Sequence, residues 1–101
     1  MNIEYTKEEI SKLYRIASSE FAVVNSKIEE IIILKDSYRN HIRELNYKIQ
    51  HALNNTCIVS FKREVTEYED KITDLNLALA VYQHLLNDIR SYKDLLLGVT
   101  Y

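Results

Sequence analysis

The sequence holds one glycine, one cysteine, and neither proline nor tryptophan in 101 residues. Average usage would give about seven glycines and about five prolines in a chain of this length. Those two residues build most tight turns and hairpin loops, and glycine builds the loops that cradle phosphates. Their scarcity argues against an all-β fold, a dinucleotide-binding fold and a disordered tail. A lone cysteine, Cys57, cannot close an internal disulfide, so no stapled secreted scaffold is implied. An excess of one charge is missing too: 13 Lys and Arg face 15 Asp and Glu, a net charge of −2. Nucleic-acid binders concentrate positive charge on phosphates, so nucleic acid is not an expected partner. No apolar run approaches the roughly 18 residues that span a bilayer, so membrane insertion is not expected either. The start, Met1-Asn2-Ile3-Glu4-Tyr5, has neither the basic beginning nor the apolar centre of a signal peptide. The expected compartment is cytoplasmic, or exported without a cleavable leader.

What the sequence does have is heptad order. Thr6-Lys7-Glu8-Glu9 reads as a capping box, with Thr6 capping and Glu9 reaching back. From Ile10 to Ala52, positions alternately four and three apart form a seam in which twelve of thirteen residues are apolar; Lys35 is the exception. A second seam runs from Ile58 to Leu96, with eleven of twelve positions apolar and Lys93 the exception. A spacing of 3.5 residues sustained over that length keeps one stripe facing a partner helix. Each seam amounts to about 60 Å of helix at 1.5 Å per residue.

Between the seams lies Leu53-Asn54-Asn55-Thr56-Cys57. Asparagine tolerates the left-handed conformation that ends a helix, and Thr56 or Ser60 is suited to cap the next. Ala52 and Ile58 are six residues apart, where seven would keep one continuous helix in register. The spacing therefore predicts a single all-α domain over 1–101, a long antiparallel helical hairpin with coiled-coil-like packing. Its helices are expected over about 6–53 and 58–97, with the turn at about 54–57. Ser18-Ser19 is a weaker candidate break, which would make 6–17 a separate helix. Gly98 follows the last apolar seam residue, where a left-handed C-cap would place it.

Apolar residues also exceed what one seam per helix requires. On the second helix Ala78, Val81, Leu85, Tyr92 and Leu95 recur beside the seam; on the first, Leu13, Ile16 and Val23 do the same. Ile31 to Leu34 is apolar nearly all round, and Tyr47 lies off the seam. A helix apolar on two stripes is buried on two sides. Each large side chain left in water forgoes roughly 1.5–3 kcal/mol. The expected partner interface is therefore Leu13, Ile16, Val23, Ile32, Leu34, Tyr47, Val81, Leu85, Tyr92 and Leu95. The hairpin is expected to join a multi-helix bundle with a second chain, like or unlike itself. Lys35 and Lys93 are the expected register-setting residues, because a polar seam residue specifies register at a cost in stability.

Residues 35–63 carry six bases and two acids. Antiparallel pairing would bring Arg39 and Arg43 beside Glu67, Glu69 and Asp70, and Lys35 within reach of Asp74. These charges either pair within the hairpin or form an anion-binding tip. The residues of enzymatic chemistry are sparse. His41, His51 and His84 never lie three or four apart, as a helical metal site requires. Neither Cys-x-x-Cys nor His-Glu-x-x-His occurs, and Cys57 has no nearby histidine in sequence. Tyr14, Tyr38, Tyr68 and Tyr82 fall in the seams, where packing accounts for them better than base stacking. No catalytic residue, metal or cofactor is expected, and the chain is not expected to be an enzyme.

About 100 residues, two long helices, a mid-chain turn and Phe61 early in the second helix resemble the Trp-x-Gly hairpin proteins of type VII secretion. The chain is similar, too, to the small hairpin partners encoded beside LXG-domain toxins. The likeness covers 6–97 by architecture and not by motif. Asn54-Asn55-Thr56 stands where Trp-x-Gly would, and no Tyr-x-x-x-Asp/Glu follows in the tail. The resemblance implies a hetero-oligomeric helical bundle and a targeting-chaperone role. The expected function is thus a non-catalytic interaction module, a small helical adaptor that packs against a partner's helices. The alternatives are a small phage-encoded or regulatory inhibitor that masks a host protein, and a homo-oligomeric coiled-coil scaffold.

Overall fold

The computed structural model describes residues 6–99; the leader reading of Met1 to Tyr5 lies outside them. Two helices account for nearly all of that span: α1, Lys7–Gln50, and α2, Asn55–Val99. They form the all-α helical hairpin that the two seams predict. All twenty-five seam positions, from Ile10 to Ala52 and from Ile58 to Leu96, are buried or half-buried. Off the seams, only Leu13, Ser18, His41 and Ala78 share that protection among the residues whose burial is described. Heptad spacing thus selected the packed stripe of both helices. Ser18-Ser19 does not break α1, so 6–17 is not a separate helix.

The helix ends were harder to read. At the first, Thr6 Oγ1 accepts a hydrogen bond from the Glu9 N–H at 3.1 Å, as a capping threonine should. The connection occupies residues 51–54, earlier than the expected 54–57. Asn54 is the cap of α2: its Oδ1 accepts the Cys57 N–H at 2.9 Å, and Thr56 lies inside the helix. Asparagine is at least as good an N-cap as threonine. Capping at Asn54 places Ile58 a full turn inside α2, where its backbone N–H reaches the Asn54 carbonyl at 3.4 Å. Thr56 and Ser60 are therefore corrected as caps. The left-handed expectation for the asparagines and Gly98 is corrected as well, because no described residue has a positive φ. Gly98 continues α2, with open space where a Cβ would stand.

The hairpin divides into two compact units. One joins α1 up to Ile28 with α2 from Val81 onward. Ile10, Ala17, Val24, Ile28, Ile89 and Leu96 are its buried core. Lys93, one of the two polar seam residues, extends its ammonium to 5.0 Å from the Tyr14 ring centroid and 5.1 Å from that of Phe21. Arg90 lies 5.7 Å from the same Phe21 ring. These spacings suit attraction between a cation and an aromatic face, and they let the apolar stem of Lys93 fill the seam while its charge stays near water.

The other unit is Glu29–Ala80, and Leu45 is its only buried hydrophobic residue. Here aromatic rings also pack against one another. Tyr38 and Tyr68 lie 5.4 Å apart, and the His41 ring stands 4.5 Å from Tyr68. Lys71 approaches Tyr68 at 4.8 Å and Tyr38 at 5.7 Å, and Lys48 approaches Phe61 at 5.9 Å. Arg39 pairs with Asp36 at 3.7 Å, and Arg43 donates to Asn40 Oδ1 at 2.9 Å. Both partners sit three residues away on α1, which corrects the expected pairing with Glu67, Glu69 and Asp70. A partner on the same helix is already held in place, so less side-chain freedom is lost in meeting it. The Lys35–Asp74 pair is likewise not among the ion pairs of the described residues. Lys35 does occupy its half-buried seam position.

Candidate functional site

The site suggested by the sequence is apolar surface rather than a catalytic cleft. Of the ten expected interface residues, Leu13 is half-buried and the other nine are exposed in the isolated chain. Val81 and Leu95 each keep 67% of their surface accessible, and Val23 keeps 63%. Exposure on that scale for three aliphatic residues, near others of their kind, marks a surface that packing within the hairpin leaves uncovered.

Helical spacing shows how these residues gather. Along α1, Leu13, Ile16, Glu20, Val23 and Lys27 follow one another alternately three and four apart on one flank of the seam. Along α2, Val81, Leu85, Asp88, Tyr92 and Leu95 do the same. In an antiparallel pair such flanks meet on one side of the hairpin. A hollow of about 320 Å³ joins them: Ser19, Glu20, Val23 and Val24 line it from α1, and Leu85 and Ile89 from α2. Val23 and Leu85 therefore share a face. Leu13, Ile16, Tyr92 and Leu95 extend it within the same unit. A second hollow, lined by Ile10, Ser11, Tyr14, Arg15, Ser18, Leu96 and Leu97, lies on the other flank. That flank of α1 continues Ser11, Ser18, Asn25, so only one side of this unit is broadly apolar.

Ile32, Leu34 and Tyr47 behave differently in their unit. Ile32 and Leu34 bracket Ile33 and take opposite flanks of the seam, because two residues on a helix are about 200° apart. Tyr47 sets its ring 4.2 Å from that of His51, the two planes tilted by 40°, toward the turn. These three do not make one stripe. Sequence reasoning also passed over exposed apolar residues. Val59, Leu77 and Leu97 lie off the second stripe, and Leu53 lies in the turn, fully accessible. Extending the first helix to residue 53 concealed Leu53; the four residues of the connection carry no glycine or proline to mark it.

Titratable groups offer little chemistry. Cys57 is exposed in the first turn of α2. His84 Nε2 approaches Asp88 Oδ2 at 3.9 Å, and His41 Nδ1 approaches Glu44 Oε2 at the same distance, each within one helix. Among the described residues no group of three or more His, Cys, Asp and Glu is placed to hold a metal ion. No helix among them is long and apolar enough to cross a membrane. The described residues leave no buried polar side chain without a hydrogen-bond partner. In comparisons with known proteins, no family model matches the chain, and neither a curated protein nor a solved structure matches it.

Proposed function

We propose that this protein is a non-catalytic interaction module, a small helical adaptor that packs its apolar face against the helices of a partner protein. One observation carries the reading: the unit that joins α1 up to Ile28 with α2 from Val81 onward already has a buried core of six described residues, yet it presents Ile16, Val23, Val81, Leu85, Tyr92 and Leu95 to water. A seam that is already filled gives no structural reason for a second apolar stripe on both helices. Covering that stripe supplies the driving force for association, at roughly 25 cal/mol per Å² of apolar surface removed from water. Within this class we favour a targeting chaperone like the hairpin partners of type VII secretion toxins. The support for that narrower reading is the two-helix architecture with a free stripe.

The test is site-specific photo-crosslinking in the cells that make the protein. A photoreactive residue at Val81 or Leu95 is expected to capture one discrete partner, and the same residue at Arg15 or Asn25 is expected to capture none. Leu85→Asp should abolish the adduct while the chain stays helical, because a charge buried without a partner costs several kcal/mol. Replacing Cys57, His41, His51 and His84 together by Ser or Gln should leave the adduct intact. Loss of function in that quadruple variant, with Leu85→Asp still active, would move the search to chemistry around the turn.

A further inference from the structure

The apolar face is not uniformly apolar, and its interruption has a definite place. Lys93 beside Tyr14, and Val23 in one hollow with Leu85, set the level at which the two helices meet. The same register brings Glu20 of α1 level with Asp88 of α2. Ile16 and Tyr92 lie one turn to one side, and Val23 and Leu85 one turn to the other. Two carboxylates from different helices thus occupy the middle of a surface with Ile16 and Tyr92 on one side and Val23 and Leu85 on the other, the α1 row ending in Lys27. Both are exposed, Glu20 lines the hollow itself, and the neighbour of Asp88 is His84 at 3.9 Å.

Any occupant that covers the apolar rows also covers these carboxylates. Taking them out of water is costly unless a cation arrives with the occupant. A second copy stacked on this face about a central two-fold axis would bring the wrong charge: Glu20 and Asp88 of both copies would meet, four carboxylates in one place. The hollow between two antiparallel helices instead suits one helix laid along it. The rows from Leu13 to Lys27 span about four helical turns at 3.6 residues per turn.

From this charge pattern we infer that the face receives a single amphipathic helix of a partner protein, with a Lys or Arg at its centre opposite Glu20 and Asp88 and apolar residues one and two turns to either side. The inference rests on the interaction-module reading and adds the chemistry of the partner.

The test uses the full chain and three stapled helical peptides of about four turns, alike in their apolar positions and carrying Arg, Leu or Glu at the centre. Fluorescence anisotropy is expected to rank them Arg, Leu, Glu, with the Arg peptide binding on the order of tenfold more tightly than the Glu peptide. Glu20→Gln with Asp88→Asn should erase that preference and leave the Leu peptide bound. Equal binding of all three, lost with Leu85→Asp, would overturn the charge-selective inference and leave the interaction module standing. No binding by any peptide would count against both. Sedimentation supplies the remaining arm. If the wild-type chain forms a dimer that Leu85→Asp dissolves, a second copy occupies the face and the inference fails.

Discussion

The two units of the hairpin are built from the same heptad spacing and are filled in different ways. Among the described residues, the unit that joins α1 up to Ile28 with α2 from Val81 holds six of the seven buried hydrophobic residues, and the unit Glu29–Ala80 holds Leu45 alone. Composition does not explain the difference, since the seam of each unit carries three aromatic side chains and one lysine: Tyr14, Phe21, Tyr82 and Lys93 in the first unit, Tyr38, Phe61, Tyr68 and Lys35 in the second. Cations approach rings in both units, but in the second the rings also meet one another, Tyr38 with Tyr68 at 5.4 Å and His41 with Tyr68 at 4.5 Å. A regular seam therefore does not imply a uniform core; how seam residues meet across the two helices, and not their type alone, decides how far a stretch closes.

Truncations should expose this difference most sharply. Ile89→Ala is expected to cost about 2–4 kcal/mol in urea unfolding at a fixed protein concentration, and Leu45→Ala a similar amount. Ile72→Ala, at a half-buried seam position of the second unit, should cost about half as much. Equal losses at Ile89 and Ile72 would break the contrast. Next in size is the cap of α2. Asn54→Ala removes the acceptor of the Cys57 N–H and should cost about 1 kcal/mol, whereas Thr56→Ala should be close to neutral.

The cation and aromatic contacts are smaller effects. A double-mutant cycle on Phe21→Leu and Lys93→Met should return a coupling of about 0.5–1 kcal/mol, and one on Tyr68→Leu and Lys71→Met a similar value. Coupling near zero in both would reduce these contacts to coincidences of packing. The smallest effect is expected at the turn. Inserting four Gly and Ser residues after Leu53 roughly doubles the connection and should cost about 0.6 kcal/mol, with helicity unchanged by circular dichroism.

Much of the fold was legible in the residues before any coordinates. The spacing of Ile10, Ala17, Val24 and their successors marked the packed stripe of α1, and Thr6 marked its start. The ends around the turn were less legible because Asn54, Asn55, Thr56 and Ser60 are all competent caps. Sequence ranks such residues by propensities that differ by tenths of a kcal/mol, too little to choose among adjacent candidates. Ion pairing was legible in kind and not in partner. Arg39 and Arg43 had acids available across the hairpin, but each met a group one turn away on its own helix.

The interface candidates divide along the same line. Periodicity placed Val23 on one helix and Leu85 on the other, each beside its seam, and that much follows from the 3.6-residue turn. Their meeting in one hollow, with Glu20 in its lining, depends on the level at which α1 and α2 pair. That level is set by contacts between residues as remote in the chain as Tyr14 and Lys93. The sequence by itself determined the helical class, the two seams and the surplus of apolar side chains, because each rests on local periodicity and composition. The tertiary structure alone decided which surplus residues share a face, where the carboxylates fall within it, and how tightly each stretch of seam closes, because these depend on the register and shape of side chains from two distant segments.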